Sequence, residues 1–197
     1  TLMLWGWAGA AVLQLIAWLL HLRSTDAGWV DAAWAASLGL MAVGYGVAGD
    51  ASSAHLALVA SLGGVWGARL TWHLLADRVL KGEEDGRYQY LRAHWGKSAP
   101  WQFLWFFQAQ ALLAAALSLP FALAATAEGP VTWLQWLAVP VFAIAWAGEW
   151  LADQQLATFR KIPANKGHVC REGLWRYSRH PNYFCEWCMW VAFALLA

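Results

Sequence analysis

The residues of this chain best suited to chemistry lie together near its end, in Gly173 to Glu186, GLWRYSRHPNYFCE. Pro181 fits the first turn of a helix, where its missing N–H costs nothing. The residues before it then sit at a helix N-terminus, whose unpaired amides and partial positive charge attract anions. Arg176, Arg179 and His180 add side-chain cations, a combination suited to a phosphate or pyrophosphate. Asn182 and Glu186, four residues apart, share one face just inside the helix, with Tyr183 beside Asn182. Amide, phenol and carboxylate together supply the mixed donors and acceptors that a nicotinamide carboxamide or an adenine edge requires.

A second polar stripe precedes this stretch. Glu149, Asp153 and Arg160 are spaced to line one face of a helix as it leaves an apolar run. They can pair internally, and they can equally grip ribose hydroxyls and a phosphate. Earlier, Asp31 in GWVDAAWA stands near the mouth of an apolar helix, flanked by Trp29 and Trp34. An isolated charge at mid-helix costs about 2.5–3.5 kcal/mol on insertion scales. Asp31 therefore either favours the helix dipole while reaching water, or serves a site. Trp66, Arg69 and His73 share a face of the next helix, pointing into a bundle or snorkelling outwards. The polar segment DRVLKGEEDGRYQYLRAHWGKSAP mixes charge signs, as a folded cap or a salt-bridged solvated loop does; Glu84, Asp85, Arg87 and Tyr88 are its notable residues.

These groups are carried by an apolar chain. Of its 197 residues 60% are hydrophobic, 13% are charged and 17 are Trp, against roughly 45–50% apolar and 25% charged in soluble proteins. The expected fold is an all-α integral membrane bundle of at least six transmembrane helices, over about 2–20, 29–48, 54–76, 101–125, 131–152 and 183–197. Residues 1–197 read as one transmembrane domain with connections at 21–28, 77–100 and 153–182. All 13 Lys and Arg fall in or beside those three connections, none in the other two. That asymmetry places them in the cytoplasm and the N-terminus outside. Polar Gln108 and Gln110 read as interhelical glue. The last run is short for a span, so a further helix beyond Ala197 is expected.

Cys170, Cys185 and Cys188 fall on the cytoplasmic side, where thiols stay reduced. Cys185-x-x-Cys188 offers two soft ligands without a second pair, so no metal site is expected and both read as packing residues. Basic residues beside apolar helices give no cause to expect a nucleic acid.

GLWRYSRHPNYFCE resembles the GLWxxSRHPNYxGE signature of membrane reductases related to steroid 5α-reductases and sterol C14 and Δ7 reductases. VDAAW, WGARLTWHL, GEEDGRYQYLR and ADQQLATFRKIPANKG are similar to their uncharacterised bacterial branch, the steroid 5α-reductase C-terminal-domain family (DUF1295). The resemblance implies about seven transmembrane helices in a bacterial inner-membrane protein, with NADPH held on the cytoplasmic side. By motif, Asn182 and Glu186 match positions holding the nicotinamide end, Asp153 and Arg160 match contacts to the adenosine part and its phosphates, and Arg171 corresponds to a phosphate-binding arginine. Glu149 stands where that pattern has an amide, and Cys185 where the signature has Gly. The cofactor set expected is therefore Asp153, Arg160, Arg171, Arg176, Arg179, His180, Asn182, Tyr183 and Glu186. Asp31 is the candidate for polarising a substrate carbonyl, with His73 or Tyr88 as partner.

The activity implied is hydride transfer from NADPH to an alkene conjugated with a carbonyl in a lipid, such as a steroid, isoprenoid or fatty enone. The partners expected are that substrate and membrane lipids. A lipid or isoprenylcysteine carboxyl methyltransferase using S-adenosylmethionine, which shares an RHP-containing core, and a non-enzymatic membrane scaffold are the alternatives.

Overall fold

A computed structural model describes residues 1–80 and 84–197. Lys81, Gly82 and Glu83, within the connection expected over 77–100, lie outside the described residues. The described residues form helices and loops, with no strand among them. The chain divides into two compact units, Thr1–Pro130 and Val131–Ala197.

The first unit is built on α1 (Leu2–Ser24), α2 (Trp29–Ala48), α3 (Ser53–Leu74), α4 (Gly86–Trp95), α5 (Ala99–Leu117) and α6 (Leu119–Ala124). A π-turn, Leu75–Val79, extends α3. Because lipid supplies no hydrophobic force between helices, close packing and hydrogen bonds must join them. The α2–α3 seam is accordingly glycine-rich: a Cβ built on Gly39 would lie 2.9 Å from the Gly67 Cα, and one on Gly46 2.7 Å from the Ala60 Cβ. Amides supply the remaining joints. Buried Gln14 donates to the Val30 carbonyl (3.2 Å), tying α1 to α2, and Gln108 donates to the Ala11 carbonyl (3.2 Å), tying α5 to α1. The interhelical role expected of Gln108 is thus observed.

The second unit comprises α7 (Trp133–Trp136), α8 (Ala138–Arg160) and α9 (Pro181–Leu196). Thr132 and Gln135 form a reciprocal capping box at the start of α7. The Gln135 amide also donates to the Leu196 carbonyl at 3.0 Å, fastening the end of α9. Phe142 of α8 packs against Phe193 of α9, ring centroids 5.8 Å apart.

Among the described residues, four helical stretches are long and apolar enough to cross a membrane: Leu2–Ser24, Trp29–Ala48, Gly86–Ala124 and Trp133–Arg160. The expected count of at least six is not confirmed. α3 has the length, 22 residues, but its His, Ser, Gly and Arg dilute its apolarity, and α9 has 16 residues against the ~20 a span needs. Boundaries shift as well. The run expected over 101–125 is interrupted at Ser118, and the helix expected to end at 152 continues to Arg160. Residues 153–160 are thus helix rather than connection, because ADQQLATFR keeps strong helix formers after the apolar run stops. The connection expected over 77–100 likewise contains α4, capped by Asp85, whose carboxylate accepts from the Arg87 amide.

The glycine seam can be tested directly. Gly67→Val drives a branched side chain into the Gly39 backbone, and is expected to destabilise by about 1–3 kcal/mol. Gly44→Ala, where nothing lies within 4 Å of the new methyl, is expected to hold or raise the melting temperature. Thermal unfolding in detergent compares the two.

Candidate functional site

In the first unit the fold converts scattered polar residues into one cluster. Asp31 lies in the first turn of α2. Its Oδ1 accepts the Tyr88 hydroxyl at 2.8 Å, its Oδ2 accepts from Arg78, and the Arg87 guanidinium stands 3.8 Å away. Tyr88 is 3% exposed in a core that includes Val30, Phe103 and Phe107. Asp85 binds Arg87 through two parallel bonds of 3.0 and 3.1 Å and faces Arg78 at 3.6 Å. Beside it, Glu84 takes Arg92 at 2.6 Å and the Ala27 amide at 2.9 Å, while Arg92 also donates to the Thr25 carbonyl at 2.8 Å. Three carboxylates and three guanidinium groups thus fasten α4 to the start of α2.

Of the three residues expected to act on substrate, the structure brings Asp31 and Tyr88 into direct contact and leaves His73 exposed on α3. Trp66, on the His73 face by spacing, is fully buried and meets Trp34 edge-on at 6.3 Å between centroids. Arg78 is the partner that sequence reasoning missed. It counted only as one cation among several, since no local spacing links residues 47 positions apart.

In the second unit the sequence-derived residues gather where α8 and α9 meet the intervening segment. Pro181 takes the first helical position of α9, and His180 stands at the N-cap position without a side-chain capping bond. The segment is pinned from α8: Gln155 Oε1 accepts the Leu174 amide at 2.8 Å, and the Ala152 carbonyl accepts the Trp175 indole at 2.9 Å. The pinning requires Gly173, which has φ of 55° and lies against the Gln155 side chain, leaving no room for a Cβ. A cavity of about 750 Å³ results, lined by Arg171, Arg176, Arg179 and His180 together with Cys170 and Trp175. No carboxylate is among the described residues lining it.

On the helices themselves, Asn182 donates to Asp153 Oδ1 at 3.3 Å, joining the two polar stripes. Glu186 accepts the Trp190 indole N–H at 3.1 Å, a partner one helical turn on that the i, i+4 rule would have found. Tyr183 is exposed and stacks on His180, centroids 5.3 Å apart. Arg160 stands exposed at the end of α8, outside the set lining the cavity. Cys185 has an internal explanation: its Sγ occupies the space over Gly148 of α8, where a Cβ would come within 2.9 Å.

The fold and site together define a helical membrane protein with a cationic cavity beside a polar helix pair. Residues 17–197 match the family described as a protein of unknown function, DUF1295, and the chain belongs to that family. It is similar to Uncharacterized protein C594.04c of Schizosaccharomyces pombe, 26% identical over 210 residues covering 93% of this chain and 61% of that protein. The chain therefore spans less than two thirds of that relative's length. No solved structure matches it.

Two measurements test the first-unit cluster. Tyr88→Phe keeps the ring packing but removes a donor from a carboxylate, for an expected loss of about 1.5–3 kcal/mol of stability, read by thermal unfolding. The hydrogen bonds from Arg87 hold the Asp85 carboxyl below its usual range. Its stabilisation is then complete above the unfolded value of about 3.9 and is lost as pH falls through the lower native value. Asp85→Asn is expected to flatten that acid limb of a stability-versus-pH curve.

Proposed function

We propose that the chain is an NADPH-dependent membrane reductase acting on a carbon–carbon double bond conjugated to a carbonyl in a lipid. The observation that carries the proposal is the cavity lined by Arg171, Arg176, Arg179 and His180 with no acidic lining residue among those described. Such a donor set suits a ligand bearing several phosphate charges, which guanidinium groups bind in bidentate fashion. It disfavours S-adenosylmethionine, which has no phosphate and itself carries a sulfonium and an ammonium. This favours the reductase over the methyltransferase alternative.

The group fits what the residues offer. Arg171, Arg176 and Arg179 would hold its phosphates at the cavity, with the α9 amides behind Pro181 adding their partial charge. Asn182, oriented by Asp153, and Glu186, oriented by Trp190, would hold the carboxamide end. Bound NADPH would supply the hydride that such a reduction consumes. The role of Arg160, contact to the adenosine side, follows from the resemblance, and the Tyr183 phenol offers a donor and acceptor beside Asn182.

In the first unit the geometry supports positioning instead of proton delivery. Both Asp31 oxygens accept bonds and the Tyr88 hydroxyl is engaged with one of them. An acid serving a substrate needs a proton free to be shared with it. The proposed orientation places the cavity on the cytoplasmic side of a bacterial inner membrane, as the distribution of Lys and Arg favours.

Thermal stabilisation of the purified chain by NADPH, with little effect from S-adenosylhomocysteine, is the expected result. Arg176→Gln and Arg179→Gln should each weaken NADPH binding about tenfold, roughly 1.4 kcal/mol, while leaving the unliganded melting temperature unchanged. Stabilisation by S-adenosylhomocysteine alone would reverse the assignment to a methyltransferase.

A further inference from the structure

The second unit holds another cavity, of about 690 Å³, that the cofactor reading does not use. α8 contributes Val141, Ile144, Ala145 and Gly148 to it. α9 contributes Pro181, Phe184, Cys185 and Cys188, the same i, i+3, i+4, i+7 pattern. Two matched stripes of that kind make a straight groove about 10 Å long at 1.5 Å per residue. Asp153, Asn182 and Glu186 are absent from its lining. The thiols of Cys185 and Cys188 act as small apolar groups in such a wall.

The groove adjoins the cationic cavity, Tyr177 and Ser178 lining both. Ser178 Oγ accepts the His180 amide at 3.1 Å and keeps its own proton to donate. The rim is open, with Ile144 74%, Phe184 61% and Tyr177 84% exposed. α8 lies within one of the four membrane-length helical stretches. A hydrocarbon slot that ends at two hydroxyls and then at three arginines matches an amphiphile with an anionic head. Clusters of Arg beside a membrane helix draw anionic lipid head groups.

We propose that this groove binds an anionic phospholipid, one acyl chain lying between α8 and α9 and the phosphate at Ser178, Tyr177, Arg176 and Arg179. Arg176 and Arg179 are shared with the cofactor reading, but lipid binding is read without NADPH, so either can fail alone. A free phosphate would satisfy the same cations and must be distinguished from the lipid.

Native mass spectrometry of the full chain in neutral detergent, given equal phosphatidylglycerol and phosphatidylcholine, tests the proposal. Phosphatidylglycerol should be retained at least about tenfold over phosphatidylcholine. Arg176→Gln with Arg179→Gln should erase the preference, and Cys188→Phe, which fills the groove, should erase retention. In the unaltered chain, phosphatidylglycerol should slow N-ethylmaleimide labelling of Cys185 and Cys188 several-fold relative to the same chain in phosphatidylcholine, a readout independent of any variant's folding. Equal retention of both lipids, or unchanged retention in Cys188→Phe with its helical circular dichroism intact, would overturn the assignment. So would inorganic phosphate protecting the two thiols as well as the lipid does, since the site would then be one for phosphate alone.

Discussion

An ionisable group at an apolar helix must find a partner, because neither hydrocarbon nor a packed core will solvate it. Much of this structure is arranged around that constraint. Asp31 is the clearest case: placed at the first turn of α2, it collects the Tyr88 hydroxyl and the Arg78 guanidinium. Those partners sit on the π-turn after α3 and on α4. One carboxylate therefore ties both Leu75–Val79 and α4 to the start of α2. Glu84 and Arg92 repeat the device against the Ala27 amide and the Thr25 carbonyl. Beneath them the aromatic core of Phe103, Phe107 and Tyr88 supplies the apolar contact that polar bonds alone would not.

The second unit solves a different problem, that of keeping several cations together without neutralising them. Arg171 and Arg179 stand on irregular backbone and Arg176 ends a short 3-10 turn, and no carboxylate is among the described residues lining their cavity. The segment is held by neutral groups instead, through Gln155 and the Ala152 carbonyl. Neutral fastening leaves the positive charge available to a ligand. The carboxylates nearby, Asp153 and Glu186, are engaged by Asn182 and Trp190 and take no place in the cavity lining.

Much of the site was legible in the sequence where its parts are local. Pro181 announces a helix start, Asn182 and Glu186 share a helical face, and Arg176, Arg179 and His180 are close along the chain, so spacing alone predicts their grouping. Asp153 meeting Asn182 joins two such patterns across 29 positions, and that contact needed the α8–α9 packing. Gly173 illustrates the limit well. Its glycine reads as part of a motif, but the reason for it, the Gln155 side chain lying where a Cβ would go, belongs to the tertiary structure.

From sequence alone the chain's membrane character and its helical class are determined. These depend on composition and on intervals shorter than a helix, and nothing distant can undo them. Tertiary structure decided that Asp31 is paired with Arg78 and Tyr88 and that Asp153 meets Asn182. It also decided that Cys185 rests over Gly148 beside an open groove. Pairings of that kind depend on where chain segments dozens of residues apart come together, and periodicity carries no information about that.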